Sequence, residues 1–174
     1  LLVPGIWENG TAYCHANSFK VVADCYAGRG DIAYRSFKKA MPDSQWNPST
    51  HSGCEPYVMT NQFLGPENRR AGKSLWAWMT GSASWYFRAM TQWILGVRPD
   101  FDGLLIDPCL PSAWKNCRLE RDFRGARYVI EIKNPHALQK GRLRIIVDGH
   151  EIAGNKIVIF ADGKIHNVKA VLSS

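Results

Sequence analysis

A membrane-spanning helix needs about eighteen or more apolar residues in a row, and the sequence contains no apolar run close to that length. It begins without a basic, cleavable signal segment and without an initiator methionine. Its five cysteines are odd in number and form no CxxC pair, which argues against a disulfide framework and a zinc site. We therefore predict a globular cytoplasmic chain with no membrane contact and no metal, and interpret it as part of a longer protein.

The charge is unevenly distributed along the chain. The net charge is +7, but residues 1–114 carry 10 basic and 9 acidic side chains, whereas residues 115–174 carry 12 and 6. Much of the excess falls on predicted strand positions, and only Phe123 and Tyr128 are interleaved with it as aromatic residues. Nucleic-acid binding needs basic residues clustered with stacking platforms, so we predict no nucleic-acid partner.

The first half of the chain has helical periodicity. Apolar residues recur with helical spacing and predict three helices, one ending at Gly28, one with Asp31 as N-cap that ends before Pro42, and one from Ser82 to Gly96. Between them, residues 43–79 are rich in Pro, Gly, Asn and Ser. A connection of this length in a compact domain is usually functional.

In the second half of the chain, apolar and polar residues alternate with a period of two. After "GVRPDFDG", short alternating segments are separated by Gly, Asn-Pro and Asp-Gly turns, which predicts a small antiparallel β module. All seven tryptophans lie at or before Trp114 and all four methionines at or before Met90. The change of pattern predicts an α+β chain with a boundary near residues 97–103.

Four features of the first half are candidates for chemistry. The first is "WENGTAYCHANSFK", with Glu8, a glycine turn and His15 at a helix start, and the second is Glu55 with Tyr57 in the long loop. The third is the Thr80-Gly81-Ser82 helix start, and the fourth is the density of tryptophans, namely Trp7, Trp46, Trp76, Trp78 and Trp85. Individually, each has an ordinary structural explanation as a cap, a solvated loop residue or a core residue. Together, aromatic faces beside carboxylates and hydroxyls suit a sugar, and a glycine at a helix start suits an anion. The combination favours glycosyl transfer involving phosphate.

Several motifs resemble one known family. The segments "ENG…H", "EPY", "TG.ASW" and above all "TQWILGVRPDFDGLLIDPCLP" are similar to the C-terminal part of glycoside hydrolase family 94, the inverting disaccharide phosphorylases. The resemblance covers nearly the whole chain. It implies the last helices of an (α/α)6 catalytic barrel in residues 1–97 and a small antiparallel β domain in residues 98–174.

The resemblance also implies an activity and a distribution of roles. Inorganic phosphate, a co-substrate rather than a cofactor, attacks a β-linked disaccharide with inversion and gives α-glucose 1-phosphate and a free sugar. The matching positions His15, Thr80 and Gly81 are expected to bind phosphate, and Glu8 the acceptor sugar. The general-acid Asp lies upstream in the family, so no catalytic residue is expected here and the chain alone should be inactive. The full-length enzyme is expected to be a homodimer.

The identity of the acceptor sugar stays open at this point. Cellobiose is the first choice, but cellobiose enzymes carry glutamine where Asn61 stands. Lys20 and Tyr57 are further candidate substrate contacts, and a cationic residue such as Lys20 could favour cellobionic acid. Chitobiose is another alternative. A non-catalytic carbohydrate-binding fragment and a hydrolase on the same barrel are the rival interpretations.

Overall fold

A computed structural model describes residues 3–174. The chain divides into two compact units. The N-terminal unit comprises Leu1–Asp24 and Ile32–Ala89, and the C-terminal unit comprises Cys25–Asp31 and Met90–Ser174. The chain is therefore of mixed α and β class, and the barrel implied by the resemblance stays a prediction.

The helices lie in the first 94 residues of the described chain. Their bounds are α1 Cys14–Tyr26, α2 Gly30–Ala40, α3 Ser49–Ser52 and α4 Ser82–Arg88, with a π-helix over Ala89–Ile94. The predicted end of α1 is confirmed, because Gly28 has a φ of 71°, a left-handed conformation that glycine adopts without strain. Asp31 was wrongly predicted as an N-cap: it lies inside α2, and its carboxylate accepts hydrogen bonds from the backbone N–H and hydroxyl of Ser112.

The helix predicted from Ser82 to Gly96 is confirmed in extent but is not one regular α-helix. After Arg88 the backbone hydrogen bonds span five residues instead of four: the N–H of Leu95 donates to the carbonyl of Met90. This wider turn is a π-helix, whose hydrogen-bonding pattern leaves little trace in apolar spacing. Gly96 then ends the helix with a φ of 69°.

Three short strands that the sequence did not predict lie in the N-terminal unit. They are β1 Ala12–Tyr13, β2 Thr60–Phe63 and β3 Ser74–Ala77, and they form one antiparallel sheet with β2 at its centre. Strands of two to four residues are too short to show a period. The long loop thus pairs with the segment before α1 through β2, and its later strand β3 pairs with β2. This sheet places the candidate site.

The C-terminal unit contains two sheets. Its strands are β4 Val97–Pro99, β5 Gly103–Ile106, β6 Asn116–Phe123, β7 Ala126–Lys133, β8 Arg142–Val147, β9 His150–Ile152, β10 Lys156–Val158 and β11 Ile165–Ser173. One sheet has the order β10-β5-β4 and the other the order β6-β7-β11-β8-β9. Alternating inward residues such as Tyr128, Ile130, Ile132 and Ala170 are fully buried and form the core.

The prediction of a purely antiparallel β module is wrong for one strand pair. β11 pairs antiparallel with β8 but parallel with β7, with Ile165 opposite Arg127. The hairpins β6-β7 and β8-β9 are each local, and the last strand of the chain enters the sheet between them. Pairing with a distant strand depends on this order in space, which local periodicity does not encode.

A buried histidine in the C-terminal unit predicts a pH dependence of stability. His166 is 6% exposed, with its Nδ1 2.6 Å from Asp148 Oδ2 and its Nε2 3.1 Å from Asp162 Oδ1. Its ring stacks on Phe160 at a centroid distance of 3.9 Å. The hydrogen bond with Asp148 raises the pKa of His166 and lowers the pKa of the Asp148 carboxyl.

Stability from protonated His166 should be fully present below its ordinary pKa of about 6.5 and lost as pH rises through its raised pKa in the folded chain. Stability from the Asp148 carboxylate should be present above its ordinary pKa of about 3.9 and lost as pH falls through its lowered pKa. Thermal unfolding should therefore have its highest midpoint between about pH 4 and 6.5 and decline above that window. Asp148→Asn should flatten the decline, and a midpoint that is constant from neutral to alkaline pH would contradict it.

Candidate functional site

A cleft of about 540 Å³ lies beside the three-stranded sheet of the N-terminal unit. The residues that line it include Trp7, Glu8, Tyr13, Asn61, Gln62 and Trp76. Aromatic faces with a few polar groups are the usual composition of a small-molecule site.

Glu8 reaches this cleft from a tight turn. Ile6 and Asn9 form a β-bridge, and the backbone N–H of Asn9 donates to the carbonyl of Ile6 at 3.0 Å. Trp7 and Glu8 are therefore the two central residues of a β-turn. Trp7 has a φ of 49°, a conformation that glycine usually supplies in such turns and that a bulky residue seldom adopts. The turn fixes Trp7 and Glu8 as neighbours in the wall.

Close contact between glycines anchors this turn. The backbone N–H of Gly65 donates to the carbonyl of Gly5 at 2.9 Å, and a Cβ added at Gly65 would lie 1.8 Å from the carbonyl oxygen of Gly10. Asn68 Nδ2 also donates to the carbonyl of Pro4 at 2.9 Å. The position of Glu8 thus depends on two backbone segments that approach each other more closely than any side chain would allow.

His15 is the second residue of α1 and lies among aromatic rings. Its ring centroid is 5.1 Å from that of Phe19 and 5.7 Å from that of Trp85, and its Nδ1 is 3.3 Å from the hydroxyl of Tyr13. Its Nε2 is buried and has no hydrogen-bond partner among residues 3–174. A buried ring nitrogen without a partner is costly, so this atom is a candidate for ligand contact.

The Thr80-Gly81-Ser82 segment forms the start of α4. Thr80 Oγ1 accepts a hydrogen bond from the backbone N–H of Ser82 at 3.0 Å and lies 2.7 Å from the Ser82 hydroxyl, while the N-cap position of α4 is Gly81. When Ser82 also donates its hydroxyl proton to Thr80, the proton of Thr80 is available to a ligand. Gly81 has a φ of −81°, and a Cβ added there would meet only Trp85 Cδ1, at 3.9 Å.

His15 and Gly81, the residue before α4, both lie next to the ring of Trp85. Trp85, in the first turn of α4, contacts the His15 ring and lies next to Gly81. Tyr13 connects this pair to the cleft, because it lines the cleft and its hydroxyl contacts His15. Glu8, His15, Thr80 and Gly81 therefore belong to one region of the N-terminal unit.

Lys20 and Tyr57 are not among the residues that line the cleft. Lys20 Nζ donates to Asp24 Oδ2 at 2.6 Å and to the Ser36 hydroxyl at 2.8 Å, so its charge is already paired. Tyr57 is 74% exposed and lies edge-on to Trp78. Their role as substrate contacts stays a prediction.

Cys14, the residue before His15, does not form a nucleophilic pair with it. Burial raises the pKa of the Cys14 thiol to about 12, so it stays protonated near neutral pH. Within residues 3–174 there is no group of three or more His, Cys, Asp or Glu side chains that could hold a metal ion. In the same range, no helix is both long and apolar enough to cross a membrane.

Sequence reasoning missed Tyr13 and Gln62 and named Trp76 and Trp85 only within a group of tryptophans. Tyr13 and Gln62 are paired across β1 and β2, and no local sequence pattern predicts this pairing. Trp85 follows Gly81 by one helical turn, and that spacing was the available signal. Trp76 was noted only as one of many tryptophans.

Comparison with known proteins finds one matching family and several similar sequences. A family model described as "Glycosyl hydrolase 94 superfamily, catalytic domain" matches residues 1–96. A solabiose phosphorylase from Paenibacillus borealis is 52% identical over 167 residues, covering 96% of this chain and 22% of that protein. An N,N'-diacetylchitobiose phosphorylase from Vibrio furnissii is 36% identical over 148 residues, covering 85% and 18%. A cellobionic acid phosphorylase from Neurospora crassa is 32% identical over 133 residues, covering 74% and 17%. The chain spans about a fifth of the length of these relatives.

Proposed function

The chain belongs to the glycosyl hydrolase 94 superfamily, and we propose that it supplies the phosphate and acceptor-sugar contacts of a disaccharide phosphorylase. One observation carries the proposal: Tyr13 lines a cleft that Glu8 also lines, and the Tyr13 hydroxyl contacts His15. A sugar site and an anion site would then be adjacent, as transfer of a glycosyl group to phosphate requires.

In the proposed reaction, a phosphate oxygen attacks the anomeric carbon while the glycosidic C–O bond breaks. The leaving oxygen takes a proton from an Asp in the part of the polypeptide outside this chain. Phosphate thereby replaces the water and the general base of an inverting hydrolase. The product is α-glucose 1-phosphate with a free acceptor sugar, and the isolated chain should bind substrates without turnover.

Three groups are proposed to hold phosphate. His15 Nε2 is buried without a partner in the described chain, Gly81 leaves open space at the start of α4, and Thr80 has a hydroxyl beside it. A protonated or neutral imidazole donor and a hydroxyl both suit an anionic oxygen. The remaining phosphate contacts are expected from the rest of the polypeptide.

The disaccharide is proposed from the relatives' activities. The high identity to the solabiose phosphorylase makes solabiose the first substrate to test, followed by cellobiose, cellobionic acid and N,N'-diacetylchitobiose. Glu8 is the proposed acceptor contact because it lies in the cleft wall. Cleavage of these four disaccharides by the full-length polypeptide, with and without inorganic phosphate, tests the proposal.

Gly81→Ala is expected to separate phosphate use from folding. The φ of Gly81 is negative and an added methyl meets no atom closer than 3.9 Å, so stability should stay the same or rise by about 0.4–1 kcal/mol. The methyl would fill the proposed anion position and should weaken apparent phosphate affinity by roughly ten-fold, about 1.4 kcal/mol. Phosphate titration of the variant together with urea unfolding measures both effects. Unchanged phosphate affinity would remove Gly81 from the site.

A further inference from the structure

Gln62 is an unusual residue in the wall of the sugar cleft. It occupies the central strand β2, opposite Tyr13 on β1 and Leu75 on β3, and it is 2% exposed. It lines the cleft, yet its Nε2 has no hydrogen-bond partner among residues 3–174. A buried amide donor almost always has a hydrogen-bond acceptor. An unpaired donor in a residue that lines a cleft is therefore a candidate to donate to an oxygen of a bound ligand.

Two tryptophans that line the same cleft have an unfavourable backbone conformation. Trp7 and Trp76 both line the cleft, with ring centroids 5.7 Å apart and an interplanar angle of 37°. Their φ values are 49° and 56°, which bulky residues rarely adopt. Such conformations persist where the surrounding structure fixes them, and they concentrate at ligand sites.

The rings also keep exposed surface in spite of their size. Trp7 is 40% exposed and Trp76 is 47% exposed, so their surface is available to the apolar C–H face of a pyranose. Glu8, whose carboxylate accepts hydrogen bonds, and Asn61 line the same cleft. The cleft thus offers a stacking surface with groups for the hydroxyl edge of a sugar.

We propose that Gln62 is a specificity-determining residue: its Nε2 donates a hydrogen bond to one oxygen of the acceptor pyranose that stacks on the Trp7–Trp76 pair. The inference rests on the proposed function, because it places the acceptor sugar in this cleft. A site built to pair with one substrate oxygen rejects an analogue that lacks it, since the buried donor is then left unpaired.

The test combines a substitution that removes the Gln62 amide with sugar analogues that lack single hydroxyls. All binding is measured on the full-length protein. Binding of D-glucose, D-galactose, N-acetyl-D-glucosamine and D-glucuronate is measured by intrinsic tryptophan fluorescence without phosphate, and the best of them is compared with its monodeoxy analogues. For the unsubstituted protein, we expect one deoxy analogue to bind roughly ten-fold more weakly or worse. Gln62→Met, which keeps the length of the side chain and removes the donor, should bind the parent sugar and that analogue equally.

Controls separate this inference from its alternatives. Gln45→Met changes an exposed glutamine and should leave the discrimination intact. Gln62→Met should unfold at or above the temperature of the unsubstituted protein, because it removes an unpaired buried donor. A uniform loss of affinity for every sugar, an unchanged discrimination, or no binding of any of the four sugars would overturn the inference. Since no turnover is measured, failure of phosphorolysis in a separate assay would refute the proposed function without deciding this result.

Discussion

Replacing His15 with alanine is expected to weaken the use of inorganic phosphate by the full-length enzyme by about ten-fold or more. The reason lies in the two ring nitrogens. Nδ1 is 3.3 Å from the Tyr13 hydroxyl, whereas the buried Nε2 has no partner within residues 3–174. When Tyr13 donates to Nδ1, the proton of a neutral ring resides on Nε2, which then donates to the phosphate.

A charge-assisted hydrogen bond of this kind contributes about 1.5–3 kcal/mol. Initial rates at varied phosphate and saturating disaccharide measure the effect, and His15→Gln, which retains an N–H donor, should recover part of it. His136→Ala changes an exposed histidine and serves as the matched control. The assignment fails if His15→Ala leaves the apparent phosphate affinity unchanged.

Gly65→Ala is expected to cost the protein both stability and sugar binding. The added Cβ would lie 1.8 Å from the Gly10 carbonyl oxygen and 2.8 Å from its carbon, and backbone atoms cannot move aside as a flexible side chain would. The segment that carries Trp7 and Glu8 must therefore shift away from the cleft. Overpacking of this kind costs about 1–3 kcal/mol of unfolding free energy.

Gly81→Ala is the matched control for the stability effect of Gly65→Ala, because the same chemical change there meets open space. Urea unfolding should show reduced stability for Gly65→Ala only, and fluorescence titration with monosaccharides should show that Gly65→Ala loses sugar binding. If Gly65→Ala folds with unchanged stability and binds sugar normally, the glycine contact does not position the turn.

The sequence was informative where structure is local. The end of α1, the limits of the helical stretch before Gly96 and the alternating strands of the C-terminal unit were all evident from spacing and turn residues. The small sheet of the N-terminal unit was not, because its strands are too short for a period and β1 pairs with β2 across about fifty residues. The parallel placement of β11 was missed because it pairs with β7, a strand distant in sequence.

The candidate site follows the same division. Motif resemblance singled out Glu8, His15, Thr80 and Gly81, and the structure places them in one region. Gln62 could not be found in this way, because its interest comes from burial without a partner, which only three-dimensional packing shows. The role of Lys20 stays a prediction; its Nζ donates hydrogen bonds to Asp24 and Ser36.

The most direct measurement is the phosphate dependence of disaccharide cleavage by the full-length polypeptide. Solabiose and the other candidate disaccharides are incubated with purified enzyme at increasing phosphate, and products are followed by proton NMR. The account predicts no cleavage without phosphate. With phosphate it predicts an α-sugar 1-phosphate in equal amount to the free acceptor sugar: α-glucose 1-phosphate from a glucosyl disaccharide, and N-acetyl-α-glucosamine 1-phosphate from N,N'-diacetylchitobiose. Cleavage that proceeds without phosphate and releases glucose would contradict it.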